Sequence, residues 1–416
     1  MLLRSLVTLS VTAAALAGTG LAGTLTVDDD GDADFAQISD AIAAAANGDL
    51  ILVSPGSYGD FILGKGLVIL GVGPGVLVGS GSRIDGIPAS RRAVLADMSF
   101  VDLCVVDCNG TVILDDLLVA GSSTMEEQVL VTGSGDVRMH ALTVQSTSFT
   151  REGLRISGSR CELVSSHVQG GSGGDPAVAG IEVLGSSFAH LAGTSVQGGR
   201  GVDGDCFGFT SDPGGDGGPA IRMADGSTAL VTGLETDLIK GGAGGLGSDC
   251  DCDGFGASGV LLDGASGGPS SHLRHSGATL QGGLSFCYGN ESPIGINSCP
   301  GCSATAARPA DPHLLRQLVP TPGGPLRFIV HGQPGDIVTL YLGRSPIVSP
   351  IDGYDLDQLT TRERTLSLGP IGDSGNATFL LTVPGNLPQG FSFYAQAEVL
   401  TASGPVHTNS LPVVLR

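Results

Sequence analysis

Aromatic and basic side chains are scarce in this sequence. Of 416 residues, none is tryptophan, aromatic residues make up 4%, and 20 lysines and arginines face 41 aspartates and glutamates. The formal net charge of −21 therefore argues against nucleic acid or an anionic membrane as a partner. The platforms on which sugar rings usually stack are also missing, which disfavours an enzyme acting on long glycans.

Long hydrophobic runs are missing after the N-terminus, where no stretch reaches the roughly 18 apolar residues of a membrane span. The N-terminus itself carries Arg4, a short apolar segment at 6–16 and small residues at 15–17 and 21–23. This order is typical of a secretory signal peptide. We predict a signal peptide over residues 1–23, a secreted or cell-surface protein and no transmembrane segment in the mature chain.

Glycine and cysteine are well represented, with 68 and nine residues. In an oxidising compartment disulfides persist, and an odd number of cysteines leaves at least one thiol unpaired. Cys161 lies in a strand-like repeat and is predicted to be a buried free thiol. The cysteines in glycine-rich or irregular stretches are predicted to form disulfides: Cys206, Cys250, Cys252, Cys287, Cys299 and Cys302.

A repeat dominates the middle of the chain. Short alternating strands, each followed by a turn of small residues, begin near six positions spaced by 25, 24, 27, 40 and 39 residues. We take these positions as equivalent: Val105, Leu130, Leu154, Ile181, Ile221 and Val260. One such coil cannot bury its apolar face alone, so stacking of coils is required. The repeat predicts an all-β fold, a right-handed parallel β-helix of about eight or nine turns.

Details of the coils follow from the same alignment. Alternation places Leu154 and Ile156 inside the β-helix and Arg155 outside. The longer spacings contain glycine- and aspartate-rich insertions at 198–218 and 241–256, which we expect to project side by side from adjacent coils. A single helix is predicted at 35–46, where apolar residues recur at helical spacing.

Asp34 is the predicted N-cap of this helix. The helix is expected to cap the open N-terminal end of the β-helix, which would otherwise expose strand edges.

The opening of the mature chain resembles a known family. Segments 26–42, 48–58 and 65–71 are similar to the N-terminal coil of pectin-lyase-like β-helix proteins, an opening found in pectin methylesterases and in other exported β-helix proteins. The resemblance is close over 24–80 and continues to about 285 as a style of repeat, which implies a β-helix over 24–285. A pectin methylesterase-like site would need paired aspartates on adjacent strands, and the sequence motifs that carry them are missing.

The pattern changes after the β-helix. Residues 286–310 contain cysteines amid Pro, Gly, Asn and Ser and are predicted to form a linker. Residues 311–416 are predicted to form a β-sandwich, because strand-like runs are separated by Gly, Pro and Asp turns. The predicted strands are 326–330, 337–342, 365–368, 377–383, 391–399 and 411–415.

Two outward columns of polar residues follow from the repeat. Arg155, Glu182 and Arg222 are expected to lie over one another, as a charge ladder or as a cleft in which an arginine grips the carboxylate of a sugar acid. The second column is Gln145, Gln169, Gln197, Lys240 and Gln281, which is typical of a structural ladder. Arg155, Glu182, Arg222 and Lys240 are our candidate substrate-binding residues.

Catalytic residues stay unassigned. Arg222 or Lys240 could abstract a proton in a lyase, and Asp115-Asp116 or Glu126-Glu127 could supply carboxylates for a hydrolase.

A metal site is predicted at Asp249, Asp251 and Asp253, because carboxylates at alternate positions before a glycine match the start of a calcium-binding loop. The position of the usual closing glutamate is Val260, so Asp203, Asp205 or Asp216 would have to complete the site. A solvated, disulfide-linked loop is the alternative. A second acidic run contains Asp28, Asp30, Asp32 and Asp34, where turn formation and helix charge are a sufficient explanation.

These patterns predict an exported β-helix protein that is a non-catalytic scaffold for a glycan, other cell-surface components or a protein partner. The alternative is a lyase, esterase or hydrolase acting on acidic polysaccharide. Calcium is the only cofactor that the sequence suggests.

Overall fold

The computed structural model describes residues 23–121, 127–146, 152–174, 177–204, 214–245, 255–263, 269–283, 295–298, 302–306, 312–344 and 363–416. Its contacts form two compact units, one over Gly23–Pro309 and the other containing Ala310–Arg416. The predicted signal peptide lies outside the described residues except for Gly23. Within the described ranges, no helix has both the length and the apolar character needed to cross a membrane.

The first unit consists of short strands and one described helix, α1 (Ile38–Ala44). The strands are β1 (Thr24–Val27), β2 (Leu50–Val53), β3 (Gly56–Tyr58), β4 (Ile62–Leu63), β5 (Val68–Gly71), β6 (Val76–Val78), β7 (Ser82–Asp85), β8 (Arg92–Phe100), β9 (Leu103–Val106), β10 (Thr111–Gly121), β11 (Val129–Thr132), β12 (Asp136–His140), β13 (Thr143–Ser146), β14 (Leu154–Ser157), β15 (Arg160–Val164), β16 (His167–Gln169), β17 (Ile181–Leu184), β18 (Phe188–Ala192), β19 (Ser195–Gln197), β20 (Ile221–Met223), β21 (Thr228–Thr232), β22 (Leu238–Lys240), β23 (Val260–Leu262), β24 (His272–Ser276), β25 (Thr279–Gln281), β26 (Ile296–Ser298) and β27 (Ser303–Ala306).

Parallel pairing between successive coils builds two long sheets. The nine-stranded sheet contains β4, β7, β9, β11, β14, β17, β20, β23 and β26, and the remaining strands form an eighteen-stranded sheet. One coil contributes β14 to the first sheet and β15 and β16 to the second, and β17 then pairs in parallel with β14. This topology is the predicted parallel β-helix.

The register confirms most of the predicted repeat. Leu154, Ile181, Ile221 and Val260 are paired with one another in succession on β14, β17, β20 and β23. The two earlier coils differ, because Leu154 pairs with Val129 rather than Leu130, and Val129 pairs with Leu103 rather than Val105. A shift by one residue reverses the face of a strand.

Burial shows which assignment is right. Val129 is fully buried and Leu130 is partly exposed, so Leu130 belongs to the outward column.

Inward-facing aliphatic residues fill the β-helix. Leu154 and Ile156 are fully buried in the core, whereas Arg155 between them faces outward, as predicted. With few aromatic residues, the core depends on Val, Ile, Leu and Ala, and Phe61 and Phe100 form an edge-to-face pair with centroids 6.1 Å apart.

Helix α1 is shorter than predicted and is not capped by Asp34. The residue at the N-cap position is Gln37, whose side chain makes no capping hydrogen bond. Asp34 instead accepts hydrogen bonds from the backbone N–H and the hydroxyl of Thr26, each at 2.9 Å, which lower the pKa of this carboxyl. A carboxylate bound to the first strand cannot reach the start of the helix.

The other end of α1 meets a basic side chain. The ammonium group of Lys65 donates to the carbonyls of Ile42, Ala43 and Ala45, which neutralises the negative end of the helix. Ile38 and Ile42 join the core beside β1, so the helix covers apolar residues at the N-terminal end of the β-helix.

The segment predicted as a linker contributes to the β-helix. Strand β26 pairs in parallel with β23, and β27 pairs in parallel with β24. The β-helix therefore continues beyond residue 285, because the polar sequence of 286–310 still supplies short strands that satisfy the exposed edges of the preceding coil.

The cysteines fall into two groups. Cys104, Cys108 and Cys161 are buried thiols outside any disulfide, which confirms the prediction for Cys161 and adds two thiols that the sequence did not single out. Cys302 is disulfide-bonded. The other five cysteines of the predicted disulfide set lie outside the described residues, and their pairing stays a prediction.

The second unit is an antiparallel β-sandwich. Its strands are β28 (His313–Arg316), β29 (Pro325–His331), β30 (Ile337–Gly343), β31 (Arg364–Pro370), β32 (Asn376–Thr382), β33 (Ser392–Thr401) and β34 (Gly404–Val414). One sheet has the order β28-β29-β32 and the other β31-β30-β33-β34. Phe328, Leu340 and Tyr394 are fully buried, and burial alternates clearly along β29, as expected for a sandwich.

We expect a cavity in one coil to destabilise the β-helix strongly. Leu191→Ala removes a fully buried side chain of β18 and should lower the free energy of unfolding by about 2–5 kcal/mol. Leu77→Ala is the matched control, because Leu77 is 52% exposed and its truncation should change stability by less than about 0.5 kcal/mol. Equal losses in denaturant titrations of the two variants would contradict the inward assignment of Leu191.

Candidate ligand-binding cleft

The predicted charge column lies on the outer face of the nine-stranded sheet. Arg155 pairs with Glu182 across β14 and β17, and Glu182 with Arg222 across β17 and β20. The Glu182 carboxylate accepts from Arg155 Nε at 2.7 Å and from Arg222 Nη1 at 3.2 Å. Arg222 Nη2 also donates to Asp263 at 2.8 Å. The three predicted residues are therefore one continuous ion-paired chain.

Two glutamates that were not part of the predicted column complete it. Arg155 Nη1 contacts Glu127, and Arg155 Nη2 lies 3.3 Å from the Glu152 carboxylate. Each glutamate stands two residues before the first residue of a strand, and those first residues, Val129 and Leu154, pair with each other. This repeated spacing is the signal in the sequence that could have identified Glu152.

A cleft of about 550 Å³ lies over this column. Glu182, Arg222, Leu261 and Asn297, which are aligned on β17, β20, β23 and β26, form its floor. The described residues that line it are Glu152, Ala177, Val178, Ala179, Glu182, Asp216, Gly217, Pro219, Arg222, Gly256, Ala257, Ser258, Leu261 and Asn297, and they include no aromatic side chain.

The opposite wall of the cleft comes from the glycine-rich insertions. Gly201 N–H donates to Ala243 O at 2.9 Å, and Gly242 N–H donates to Gly218 O at 2.8 Å, so the described parts of the two insertions lie side by side as predicted. A Cβ atom on Gly242 would overlap the carbonyl oxygen of Gly199. Glycine is therefore required here by the close approach of backbone layers.

Carboxylates outnumber guanidinium groups around the cleft. Burial raises the pKa of the Glu152 carboxyl, and the nearby charges of Glu182 and Glu127 raise it further, while Arg155 opposes this effect. Glu182 is 5% exposed and is held by both arginines. The site thus contains the buried carboxylate of Glu182, which has two cationic partners. The neighbouring carboxylate of Glu152 is poorly compensated.

Lys240 is separated from the other predicted substrate-binding residues. It lies on β22 of the eighteen-stranded sheet, in register with Gln197 and Gln281, and it does not line the cleft. The second column is complete in the structure, because Gln145, Gln169 and Gln197 also pair in succession.

A buried polar network on the eighteen-stranded sheet was not predicted. His140 Nδ1 lies 2.8 Å from Asp115, one coil earlier, and Arg138 lies between Asp136, at 2.9 Å, and Glu162, at 3.3 Å. Val137 and its counterparts on the neighbouring strands face the core. The residues of the network alternate with them and therefore lie on the outer face of the sheet. The 25-residue separation of Asp115 and His140 matches one coil and could have indicated the pair.

The predicted calcium loop belongs to a segment that the structure does not describe. Asp249, Asp251 and Asp253 lie outside the described residues, as does Asp205. Of the proposed closing ligands, Asp203 pairs with Arg200 and Asp216 accepts from the Phe255 N–H at 2.8 Å. In the other acidic run, carboxylate oxygens of Asp28, Asp29 and Asp30 come within 4.8 Å of one another.

Comparisons with known proteins give little beyond this description. No family model matches the chain, and no curated protein matches it. Among solved structures, the chain is similar to tailspike protein 2 of Escherichia coli O157:H7 bacteriophage CAB120, with 12% identity and a TM-score of 0.31 over 94% of this chain and 64% of the tailspike. It thus spans less than two thirds of that protein.

Pectin methylesterase from Aspergillus niger is similar with 12% identity and a TM-score of 0.29, over 68% of this chain and 93% of that one. At these scores, the assignment of a parallel β-helix rests on the strand pairing, and the functions of the two neighbours carry no argument for this protein.

The calcium prediction can be tested by thermal unfolding. If Asp249, Asp251 and Asp253 bind calcium, the ion should raise the melting temperature relative to EDTA, by an amount that grows with the ratio of calcium to its dissociation constant. Replacing the three aspartates by asparagine should abolish this shift. Equal melting temperatures of the unmodified protein in calcium and in EDTA would rule out the site.

Glu152 should make stability depend on pH. Because its pKa is raised by folding, the folded state binds the proton more tightly than the unfolded state, and stability falls as pH rises above the unfolded value of about 4.3. We expect Glu152→Gln, which cannot ionise, to raise the melting temperature by about 2 °C at neutral pH and by nothing near pH 4. Glu182→Gln should lower it, because two guanidinium contacts are lost. A lower melting temperature of Glu152→Gln at neutral pH would contradict this account.

Proposed function

We propose that this protein is an exported, non-catalytic β-helix scaffold that binds a short glycan in the cleft over β17, β20, β23 and β26. The observation that carries the proposal is the cleft itself, which places carboxylate, guanidinium, amide and hydroxyl groups around an open volume of about 550 Å³. This volume is in the range of sites that hold ligands of drug size. Hydrogen bonds to hydroxyl groups would replace aromatic stacking in recognition.

Export is supported by the sequence. The arrangement of Arg4, the apolar segment and the small residues before Gly23 is that of a secretory signal, and the predicted disulfide set requires an oxidising compartment.

The ion pairs of Arg155 and Arg222 favour a binding role over lyase activity. A proton-abstracting base must be free of its proton, and an arginine that grips a uronate must have donors to spare. Arg155 contacts three carboxylates and Arg222 contacts two. Carboxylates therefore neutralise both guanidinium groups before any ligand arrives, which disfavours acidic polysaccharide as the substrate.

Hydrolysis of a glycosidic bond is the second candidate. Glu152, whose pKa is raised by burial, stands beside the ion-paired Glu182, and two carboxyl groups in different environments are what a glycosidase requires. Release of reducing ends from a bound glycan, lost in Glu152→Gln, would establish this activity in place of the scaffold.

A blocking substitution tests the position of the binding site. Leu261→Trp adds a large side chain on the floor of the cleft and should weaken glycan binding at least about tenfold, because the ligand volume is filled. Leu77→Trp, at an exposed leucine on β6, is the control and should bind as the unmodified protein does. The measurement is binding to a panel of immobilised polysaccharides, with no reducing ends released. Unchanged binding by Leu261→Trp would place the site elsewhere.

A further inference from the structure

The cleft carries an excess of negative charge. The carboxylates that line it or are bound to Arg155 or Arg222 are Glu127, Glu152, Glu182, Asp216 and Asp263. Against these five stand two guanidinium groups, those of Arg155 and Arg222, and none of the described residues that line the cleft is a lysine. A concave surface that carries one sign of charge concentrates ligands of the opposite sign.

Glu152 is less well compensated than Glu182. Its side chain is 13% exposed, and its one ion pair among the described residues, with Arg155, is long at 3.3 Å. Glu182, by comparison, is bound by two guanidinium groups at 2.7 and 3.2 Å. The charges that face Glu152 are those of Glu127, Glu182, Arg155 and Arg222, and burial together with the two glutamates raises its pKa. A cation placed beside Glu152 would remove this repulsion.

Donors lie on the same surface. The Arg222 side chain is 44% exposed and offers a guanidinium group, and Asn297 and Ser258 add an amide and a hydroxyl. A ligand that fits both features needs oxygen acceptors within a few ångströms of a cationic group. A simple polyamine has the charge but no acceptors, and a neutral sugar has the acceptors but no charge.

We propose that the glycan bound in this cleft is built of amino sugars with free, protonated amino groups. The inference rests on the proposed function, because it names the ligand class of the same site. The ammonium group would donate to the carboxylates of Glu152 and Glu182, and ring hydroxyls would accept from the exposed part of the Arg222 guanidinium and exchange hydrogen bonds with Asn297 and Ser258. Such charge-assisted hydrogen bonds are stronger than neutral ones and would provide selectivity without aromatic residues.

Three tetrasaccharides that differ in charge separate this inference from its alternatives. The full chain is titrated calorimetrically with a glucosamine tetramer, with the N-acetylglucosamine tetramer of the same linkage, and with tetragalacturonate. We expect the glucosamine tetramer to bind about tenfold or more tightly than the N-acetylated one, the difference that a charge-assisted hydrogen bond gives, and tetragalacturonate to bind most weakly. A hexalysine peptide is the fourth ligand and should bind less tightly than the glucosamine tetramer.

Two charge-neutralising variants locate the effect. Glu152→Gln should lose about tenfold in affinity for the glucosamine tetramer and leave that for the N-acetylated tetramer unchanged. Asp60→Asn, which removes one negative charge at an exposed position outside the cleft, should change neither affinity. The melting temperature of each variant is measured as a control for loss of folding.

Each other result overturns a defined part of the argument. Equal affinity for the glucosamine tetramer and the N-acetylglucosamine tetramer, or tightest binding of tetragalacturonate, would overturn the amino-sugar assignment and leave glycan binding in the cleft intact. Hexalysine binding as tightly as the glucosamine tetramer would show recognition of charge alone and would likewise overturn the assignment. Binding of none of the saccharides would overturn both this inference and the proposed function.

Discussion

Parallel pairing places each residue of a coil about 4.8 Å from its counterparts in the coils before and after it. Every position in this β-helix is therefore a column, and the chemistry of each column must tolerate close repetition. Inward columns repeat aliphatic residues such as Leu154, Ile181, Ile221 and Val260, which bury one another. Outward columns can repeat charge only if its sign alternates, and Arg155, Glu182 and Arg222 do so.

The column of charges determines how well each carboxylate at the cleft is compensated. Buried ions are costly to desolvate, and their attraction offsets that cost only when each has close partners of opposite sign. Glu182 meets this condition through two guanidinium groups, whereas Glu152 meets it poorly. Uncompensated negative charge is thus found on one carboxylate at the edge of an open volume, and the proposed cationic ligand would gain most from contact with that carboxylate.

The glycine-rich wall allows the two insertions to pack closely. Two insertions leave adjacent coils at the same corner, so their backbones must pack at the spacing of the coils. Side chains would not fit between Gly199 and Gly242, and hydrogen bonds such as that from Gly242 to Gly218 hold the layers together instead. The wall positions Asp216 and Ser258 opposite the sheet with few side-chain contacts of its own.

The sequence by itself determined the periodic features of this protein. The parallel β-helix, the sandwich, the inward and outward faces of β14, the stacking of Arg155, Glu182 and Arg222, and the buried thiol of Cys161 all follow from local alternation and from a repeat that is long enough to align. Leu130 and Val105 were misaligned because the earlier coils share less sequence with the later ones, and alternation alone cannot distinguish neighbouring registers.

Only the tertiary structure decided the features that join different coils or lie outside the repeat. Asp34 bonds to Thr26 rather than to the helix because β1 passes beside it, and residues 296–298 and 303–306 add strands because the preceding coil leaves an edge to be paired. Glu127 and Glu152 join the charge column through the guanidinium group of Arg155, and Lys240 is kept away from the cleft by the sheet on which it lies. Such contacts depend on distances between residues of different coils. The repeat predicts those distances only for residues at equivalent positions.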